Sequence, residues 1–349
     1  MNKLKILHVI AGGQHGGAET FCLDAICALD DAGISQHVIC RPHAHYMKTL
    51  NDRSIPFDTM SFSRIDKLWR GSSLIKKCVR DVQPSIIHAW MGRAASFVPS
   101  GLPVPVLGWF GGYYDLKRYR SSDFYMGVTK DIVRYIGEQS AAPERAFLVH
   151  TFGTLEQAPP VNRSDFSTPE DAPVVLLLSR MHAKKGVDTL LQAATQLPGV
   201  YFWLAGDGPD LEKYKQQCKE LGLDERVRFL GWRDDRAALL AASDICALPS
   251  RYEPFGTVMA EAWYMGVPLV AAKAAGPLGY VEDGKNGLLC EIDDSDGLAA
   301  KIKMILDDQS LRQSLIQNGH ITCNTSFSRE ATSRSLIDAY SAMVAAGKR

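Results

Sequence analysis

The feature that most constrains the fold of this chain is a repeated alternation between short apolar runs and longer segments with helical periodicity. Apolar residues three and four positions apart are typical of helices that cover a core, and short apolar runs closed by Gly, Pro or polar residues are typical of buried strands. Buried strands that alternate with helices form a parallel sheet covered on both faces. In the first part of the chain the predicted strands are residues 5–10, 36–41, 85–90, 104–109 and 123–128.

The pattern is interrupted once, near Thr151. Residues 151–173 are rich in Pro, Ser, Thr and acidic residues and show no periodicity, so this segment is the predicted linker. Because 349 residues are too many for one compact core, we expect two doubly wound α/β domains. Ligands of such sheets bind beyond the carboxyl ends of the strands, which places the predicted site in a cleft where the two domains face each other. The strands predicted after the linker are residues 174–179, 200–206, 227–232, 244–249, 268–272 and 287–292, and three helical stretches follow, the last over about 329–346.

The formal net charge is zero, but the charge is unevenly distributed along the chain. Residues 1–150 hold 18 Lys and Arg against 13 Asp and Glu, and residues 151–349 hold 21 against 26. The basic first half could face phosphates or an anionic membrane surface. An excess this small is equally compatible with an evenly mixed surface and no such partner.

The eight cysteines form no CxxC pair and most lie in apolar runs, which predicts buried free thiols in a reducing compartment. The first residues read as a strand that runs into a Gly-rich turn rather than as a signal peptide. No apolar run approaches the roughly 18–20 residues of a membrane span. The predicted location is the cytoplasm.

The glycine-rich stretch AGGQHGGAE follows the first predicted strand and could cradle a phosphate at a helix N-terminus. Its glycine spacing does not match the GxGxxG pattern of dinucleotide binding, and the second strand ends in Arg41 rather than in an acid. The stretch therefore argues against an NAD-dependent dehydrogenase. A tight strand-to-helix turn without a ligand, with Glu19 placed favourably at the helix start, is the alternative.

Two further turns carry charge or glycine at the end of a predicted strand. In SRMHAKKGVD, Arg180 and Lys185 are placed to grip phosphate oxygens, or else belong to a solvated basic loop. In LAGDGPD, Gly206 permits an unusual backbone turn that could line a nucleotide pocket or be purely structural.

Two glutamates, Glu253 and Glu261, lie eight residues apart around a Pro-Phe-Gly turn in SRYEPFGTVMAEAWYMGVPLV. Glu253 precedes a proline and is predicted in a loop, whereas Glu261 lies about one turn into a helix that begins near Thr257. The unpaired N–H groups at the start of that helix attract anions, and carboxylates accept hydrogen bonds from hydroxyls. A sugar nucleotide offers both phosphates and hydroxyls. A helix cap beside a solvated glutamate is the simpler alternative for either residue alone.

At these residues the chain resembles glycosyltransferase family 4, the retaining GT-B enzymes. The stretches that carry the resemblance are SRMHAKKGVDTLLQA, LAGDGPDLEKY, the region VRFLGWRDDRAALLAASDICALPSRYEPFGTVMAEAWYMGVPLVAA, EDGKNGLL and, more loosely, ILHVIAGGQHGGAE. The resemblance implies a GT-B fold: two Rossmann-like domains across a cleft, with an acceptor domain over residues 1–155, a donor domain over 172–325, and a C-terminal helix over 326–349 that packs back on the first domain.

The resemblance also implies roles for individual residues. Arg180 and Lys185 would hold the donor diphosphate, Glu253 would contact the transferred sugar or its leaving phosphate, and Glu261 would bind the ribose hydroxyls. Glu253, Arg180 and Lys185 are the predicted catalytic residues. No metal and no cofactor are predicted. The full predicted donor set is Gly16, Gly17, Arg180, Lys185, Gly206, Glu253, Phe255, Gly256, Thr257, Val258 and Glu261.

The acceptor side is less well marked. Many family members carry a His after the strand that matches VPVLGW, and this chain reads Gly-Trp-Phe-Gly-Gly there. His88 could replace that His in part or be a buried structural residue, and Trp109, Tyr113 and Tyr114 could stack on acceptor sugars. Residues 63–80 hold six basic residues interleaved with apolar ones, which suits either an anionic inner-membrane surface or a helix that covers the sheet.

The prediction is therefore a metal-independent hexosyltransferase that retains the anomeric configuration. Its donor is expected to be a UDP-sugar, and its acceptor a cell-surface glycan such as lipopolysaccharide core or an exopolysaccharide lipid intermediate. Peripheral contact with the inner membrane is compatible with this activity, and nucleic acid is not an expected partner. Two alternatives remain: a sugar-nucleotide epimerase of the same fold, and a non-catalytic subunit that binds nucleotide sugars.

Overall fold

A computed structural model describes residues 4–13, 17–63, 66, 71–140, 142–152, 155 and 157–348. The chain divides into two compact units, one formed by residues 1–152 together with 329–349 and the other by residues 153–328. Each unit is built around one parallel sheet. The predicted α/β class, with two doubly wound sheets, is confirmed.

The first unit contains a seven-stranded sheet in the order β3-β2-β1-β4-β5-β6-β7. Its strands are β1 Lys5–Ile10, β2 Ser35–Cys40, β3 Phe57–Thr59, β4 Ile86–Trp90, β5 Val106–Phe110, β6 Phe124–Gly127 and β7 Ala146–Leu148. Its helices are α1 Gly17–Asp31, α2 Ala44–Asp52, α3 Gly71–Val82, α4 Met91–Ala95 and α5 Lys130–Gln139.

The second unit contains a six-stranded sheet in the order β10-β9-β8-β11-β12-β13. Its strands are β8 Val174–Leu178, β9 Tyr201–Ala205, β10 Val227–Gly231, β11 Ile245–Leu248, β12 Leu269–Ala272 and β13 Leu288–Cys290. Its helices are α6 Val187–Thr195, α7 Leu211–Glu220, α8 Arg236–Ala241, α9 Thr257–Tyr264, α10 Ala275–Tyr280, α11 Ser295–Asp307 and α12 Gln309–Ser326, and α13 Arg329–Ala346 closes the chain.

Burial on both faces explains why the strands read as continuous apolar runs. In β8 the side chains of Val174, Leu176 and Leu178 belong to one core cluster, and those of Val175 and Leu177 to the cluster on the opposite face. Side chains alternate between the two faces of a strand, so a sheet covered on both sides needs an apolar residue at every position. All eleven predicted strands are present within two residues of their predicted bounds.

The last helix, α13, completes the core of the first unit. Leu336, Tyr340 and Met343 on one face of this helix are fully buried in the same cluster as the strands of the N-terminal sheet. Thr332 donates a hydrogen bond to the carbonyl of His150 at 3.0 Å. The chain thus ends in the unit in which it begins.

Part of the predicted linker is folded rather than free. Val161 and Phe166 pack against the core of the second unit, and the side chain of Arg163 donates to the carboxylate of Asp244 at 3.0 Å and to the carbonyl of Ala172 at 2.7 Å. The lack of periodicity reflects a single short 3-10 turn, Arg163–Phe166, instead of a regular element.

The eight cysteines are buried free thiols, as predicted from their apolar surroundings. In the part of the chain that the structure describes, no helix is both long and apolar enough to cross a bilayer.

The basic segment over residues 63–80 is only partly described, because Arg64, Lys67 and Arg70 lie outside the described residues. In its described half, helix α3 buries Ile75 and Cys78 in the core. This half therefore has the amphipathic character of a helix that covers a sheet, and the membrane contact stays a prediction.

Candidate active site

The candidate site begins where the strand order of the second sheet reverses. From β8 the chain adds β9 and β10 on one side, and it then crosses over to add β11, β12 and β13 on the other side. The loops that follow β8 and β11 therefore lead to helices on opposite faces of the sheet, α6 in one core cluster and α9 in the other. Open α/β sheets bind their ligands in the crevice that opens at such a switch point.

The loop after β8 is held in a fixed conformation by glycine. A short 3-10 turn over Ala183–Lys185 ends at Gly186, whose φ is +64° and which opens helix α6. A Cβ built at Gly186 would lie 2.0 Å from the carbonyl oxygen of Pro249, at the end of β11. Glycine at this position lets the two switch-point loops approach each other closely.

The two loops are also joined by a salt-bridge clamp. Arg251, in the loop after β11, donates two parallel hydrogen bonds of 2.8 Å to the carboxylate of Asp188 at the start of helix α6, and its Nε lies 2.6 Å from Asp293. The backbone N–H of Arg251 donates to the carbonyl of Lys184 at 2.9 Å. Burial would raise the pKa of Asp188, but the hydrogen bonds and charge of Arg251 outweigh it and lower that pKa. Such bidentate pairs fix orientation as well as distance.

As a result the side chains of Lys185 and Glu253 meet. The Nζ of Lys185 donates to Oε2 of Glu253 at 2.6 Å, and the side chains are 25% and 13% exposed. These residues come from the two loops that flank the switch point, 68 positions apart in the chain. The structure thus brings together two of the three predicted catalytic residues, in a position that a ligand can still reach.

The turn that follows Glu253 leads directly into helix α9. Gly256 has a φ of +87° and is the N-cap residue, and no side chain caps the helix. The first N–H groups of α9, those of Thr257 and Val258, have no carbonyl four residues earlier within the helix. The Phe255 side chain is buried against Tyr280 and Phe327, so only the backbone of Phe255 is available to a ligand.

Glu261 lies one turn into α9 and is 1% exposed. Its Oε1 accepts a hydrogen bond from Arg236, which opens helix α8, while Oε2 is buried without a hydrogen-bond partner among the described residues. Burial raises the pKa of Glu261, and the charge of Arg236 partly opposes that effect. A buried carboxylate oxygen without a donor is costly, and hydroxyl groups of a ligand would supply the missing donors.

Arg180 and Gly206 lie on neighbouring loops of the same sheet edge. Arg180 follows β8 by two residues and its side chain is exposed. Gly206 follows β9 with a φ of +146°, and a Cβ there would lie 1.9 Å from the carbonyl oxygen of Ser179. Gly206 is thus required for backbone packing, which is the structural alternative considered from the sequence.

The predicted phosphate loop of the first unit is described only in part. Gly16 lies outside the described residues, and Gly17 opens helix α1. Earlier in the loop, the N–H of Gly13 donates to Oε1 of Glu19 at 3.0 Å. The Glu19 carboxylate therefore already neutralises part of the start of this helix.

The structure does not support His88 and Trp109 as acceptor contacts. His88 is fully buried, and its Nδ1 is 2.7 Å from the hydroxyl oxygen of Tyr340. Burial holds the pKa of His88 well below its ordinary value, so the ring is neutral. Trp109 is 2% exposed and packs between Phe21 and Trp90. Both rings are core residues because they lie on strands that helices cover on both faces.

The two tyrosines predicted on the acceptor side are more accessible. Tyr113 is half-buried and its hydroxyl donates to Asp131. Tyr114 is 36% exposed. Their role with an acceptor stays a prediction.

Three contributors to the site were not predicted: Arg236, Asp188 and Arg251. The segment that holds Arg236, GWRDDRAALL, was recognised as part of the family pattern, but nothing in its spacing shows that this arginine reaches Glu261, which lies 25 residues further along the chain. Asp188 and Arg251 flank residues that were singled out, and their pairing depends on the approach of two loops.

Two doubly wound parallel sheets in one chain, with basic and acidic side chains gathered at a switch point, are the architecture of the GT-B glycosyltransferases. Solved structures share this fold over the full chain: Anabaena HepE in complex with UDP aligns with a TM-score of 0.82 at 22% identity, covering 97% of this chain and 100% of that one.

Relatives with higher sequence identity identify the family to which the chain belongs. The family model described as glycosyl transferases group 1 matches residues 160–321. The lipopolysaccharide core biosynthesis glycosyltransferase LpsE of Rhizobium meliloti (strain 1021) is 34% identical, covering 95% of this chain and 97% of its own length. LpsD of the same strain, which carries the same description, is 32% identical, covering 98% and 99%. The chain belongs to the group 1 glycosyl transferases, which confirms the family predicted from its motifs.

Proposed function

We propose that this glycosyltransferase moves a hexose-type sugar from a UDP-linked donor to the core oligosaccharide of a lipopolysaccharide, with retention of the anomeric configuration and without a metal. Two relatives that match almost the whole chain are described as lipopolysaccharide core glycosyltransferases. HepE, which shares the fold, was crystallised with UDP. The descriptions of the two relatives support the lipopolysaccharide core over the exopolysaccharide intermediate as the acceptor, and the HepE complex supports UDP as the nucleotide of the donor.

The observation that carries the proposal is the pairing of Lys185 with Glu253 at the switch point, with Glu261 nearby in the chain on α9. Lys185 supplies a compact positive charge for a diphosphate, and the free Oε2 of Glu261 can accept hydrogen bonds from the ribose. The crevice at a switch point is where open α/β sheets bind their ligands.

The leaving group determines what the site has to do. When the bond between the sugar and the diphosphate breaks, negative charge builds up on the departing phosphate oxygen. Lys185, Arg180 and the N-terminus of α9 provide positive charge for that oxygen, which is the work that a metal ion performs in other transferases. Because Lys185 is paired with Glu253 at rest, the incoming diphosphate shares this lysine with the carboxylate.

Retention is proposed to follow from attack on the same face as the departing phosphate. Glu253 is the carboxylate that contacts one of the predicted diphosphate-binding cations, and it is engaged by Lys185 at 2.6 Å. A carboxylate held in this way is placed to orient the sugar rather than to act as a free nucleophile. The leaving phosphate would then accept the proton of the acceptor hydroxyl.

The test compares two neighbouring lysines. Lys185→Ala is expected to lower the rate of transfer by at least about 100-fold, the usual cost of removing one charge-stabilising donor. Lys184→Ala is the matched control, because Lys184 is exposed in the same loop and its Nζ lies over the ring of Tyr252 at 4.8 Å. Sugar transfer from a panel of UDP- and GDP-hexoses to purified truncated lipopolysaccharide is measured, with and without EDTA.

Equal rates for the two variants would contradict the assigned site. Conversion of the donor sugar in the absence of an acceptor would favour the epimerase alternative instead. Nucleotide-sugar binding without transfer or hydrolysis would indicate a non-catalytic subunit. A product whose anomeric configuration, read from its NMR spectrum, is opposite to that of the donor would overturn retention, and loss of activity with EDTA would overturn metal independence.

A further inference from the structure

The first unit contains a cavity that the donor site does not use. It has a volume of about 630 Å³, which is within the range of small-molecule sites. It opens at the carboxyl edge of the N-terminal sheet: Arg41 follows β2 directly, Ser61 follows β3 by two residues, and Arg93 lies in α4, which follows β4. This is the edge at which open parallel sheets bind ligands.

The only formal charges among the described lining residues of this cavity are the guanidinium groups of Arg41 and Arg93. Arg41, His43 and Arg93 line it, and no carboxylate is among the lining residues in the described part of the chain. Neither guanidinium lies within salt-bridge distance of a described carboxylate, in contrast to arginines such as Arg53, Arg163 and Arg251. The acid beside the cavity is Asp66, whose carboxylate accepts hydrogen bonds from Ser61 and Ser63.

Two side-chain nitrogen atoms of the lining residues are buried and unpaired. The Nε of Arg41 and the Nε2 of His43 are shielded from solvent and have no hydrogen-bond partner among the described residues. Buried polar atoms are nearly always paired, so two unpaired nitrogens on lining residues only two positions apart indicate a group that is missing. A guanidinium Nε–H can only donate, which means that the missing group is an acceptor.

The start of helix α2 adds to the same preference. His43 is the N-cap residue of α2, but its side chain makes no capping hydrogen bond. The first N–H groups of the helix therefore lack the usual side-chain acceptor, and the helix dipole favours an anion there. Together with the two arginines, this makes an oxyanion the acceptor that fits best.

The rest of the cavity suits a sugar. Phe62 and Phe97 line the cavity and meet edge to face, with ring centroids 5.1 Å apart, which makes part of its wall apolar. Ser61, Ser63 and Ser96 add hydroxyl groups along the lining. Each of these hydroxyls already donates its proton, Ser61 and Ser63 to Asp66 and Ser96 to the carbonyl of Arg93, so their oxygens are left to accept from the hydroxyls of a glycan.

We propose that this cavity binds an anionic group on the acceptor glycan, a sugar carboxylate or a sugar phosphate, through Arg41, His43 and Arg93. The inference rests on the proposed function, because it takes the first unit as the acceptor-binding unit of a glycan transferase. It adds the chemical class of the acceptor: a glycan in which one sugar carries a negative charge.

The test measures binding of four small probes to the full chain: methyl α-glucoside, methyl β-glucuronide, glucose 6-phosphate and inorganic phosphate. Both anionic sugars are expected to bind at least tenfold more tightly than the neutral glucoside. The variants Arg41→Ala and Arg41→Lys are expected to lose this preference, since lysine keeps the charge but lacks the Nε–H. Lys48→Ala, an exposed change on helix α2, is the control and should keep it.

Two further measurements separate a binding role from a folding role. Without a ligand, the melting temperature of Arg41→Ala should equal or exceed that of the wild type, because the change removes an unsatisfied donor rather than a native contact. UDP binding should be unchanged in every variant, because these residues belong to the other unit.

The outcomes are distinct. Equal affinity for neutral and anionic sugars, or a preference that survives in Arg41→Ala, would overturn the proposal. Inorganic phosphate that binds as tightly as glucose 6-phosphate would also overturn it, since the site would then recognise a free anion and not an acceptor sugar. Failure of the wild type to bind UDP would instead overturn the proposed function itself.

Discussion

At the scale of single residues, Glu261 shows a conflict between folding and binding. Its carboxylate is almost fully buried, one oxygen accepts from Arg236, and the other has no partner among the described residues. A buried charge with an unsatisfied oxygen destabilises the folded chain. The same oxygen can accept hydrogen bonds from a ribose. Glu261 is therefore expected to lower the stability of the ligand-free chain and to raise its affinity for the nucleotide.

The change Glu261→Gln separates these two effects. The affinity for UDP is expected to fall by about 10- to 100-fold, since a hydrogen bond to a charged group contributes about 1.5–3 kcal/mol. The free energy of unfolding without a ligand should be equal to or higher than that of the wild type. Titration calorimetry with UDP and urea denaturation measure the two quantities, and Glu212→Gln, on an exposed side chain, is the control. A variant that binds UDP like the wild type would remove Glu261 from the donor site.

The pH dependence of stability follows from the same residue. Burial raises the pKa of Glu261 above its ordinary value of 4.5. At pH values between 4.5 and the raised pKa, Glu261 has lost its proton in the unfolded chain but keeps it in the folded chain. The free energy of unfolding therefore falls as pH rises through this range. The stability advantage of Glu261→Gln over the wild type should therefore be absent at about pH 4.5 and present at about pH 8. An advantage that is the same at both pH values would contradict the raised pKa.

The sequence predicted Glu261 itself but not its environment. The spacing of the two glutamates and the turn between them were sufficient to place Glu261 on a helix. The contact with Arg236 depends on how α8 and α9 pack on the sheet, which spacing along the chain does not encode. For the same reason His88 and Trp109 were considered as acceptor contacts, although both lie deep in the core.

At the scale of elements, the approach of two loops is what assembles the site. The turn over Ala183–Lys185 and the end of β11 come so close that only glycine fits at position 186. The clamp between Arg251 and Asp188 joins the same two loops at a second point. Lys185 and Glu253 meet because both contacts are made.

Gly186→Ala tests this closeness. It is expected to destabilise the folded chain by about 2–4 kcal/mol, because the new methyl group combines a left-handed backbone conformation with a clash at the carbonyl of Pro249. Gly222→Ala is a matched control: its φ of +67° is nearly the same as the +64° of Gly186, but its Cβ would meet open space. That variant should cost only about 1 kcal/mol.

Urea denaturation measures the free energy of unfolding of both variants. The difference between the two values gives the cost of the steric clash, because the backbone strain is nearly the same in both. We also expect the transfer rate of Gly186→Ala to fall, because Lys185 must move when the loop moves. Equal destabilisation by the two changes would show that the loops have room to separate. A normal transfer rate would show that Lys185 does not depend on this contact for its position.

The elements that the sequence missed share a physical cause. Strands β3 and β7 are only three residues long, and their burial is incomplete, so neither produces an apolar run that stands out. Residues 157–173 have no periodicity, yet Arg163 and Phe166 attach them to the second unit. Long, fully buried strands and long helices were predicted because they pack one or both faces against a core, which gives their sequence a regular apolar pattern. The missed segments are held by individual contacts, which leave no such pattern.

At the scale of the whole molecule, the chain has two separate cores that are not contiguous in sequence. The cluster of the first unit includes α13, the last helix, and excludes everything between residues 153 and 328. The residues proposed for the donor and for the acceptor anion are therefore supported by different cores. A destabilising substitution in one core should therefore have only a small effect on the stability of the other unit.

Hydrogen exchange in the full chain tests this division. Leu336→Ala, on the buried face of α13, removes a fully buried side chain and is expected to cost about 2–5 kcal/mol, so amides in the strands of the first unit should exchange faster. Val344→Ala, on the same helix but 47% exposed, should leave the exchange unchanged. UDP should slow exchange in residues 179–186 and 249–261, in the wild type and in Leu336→Ala alike, because ligand binding stabilises the unit that binds it. Faster exchange in both sheets of Leu336→Ala would mean that the two cores unfold as one, and protection by UDP in the first unit alone would place the nucleotide on the wrong half of this glycosyltransferase.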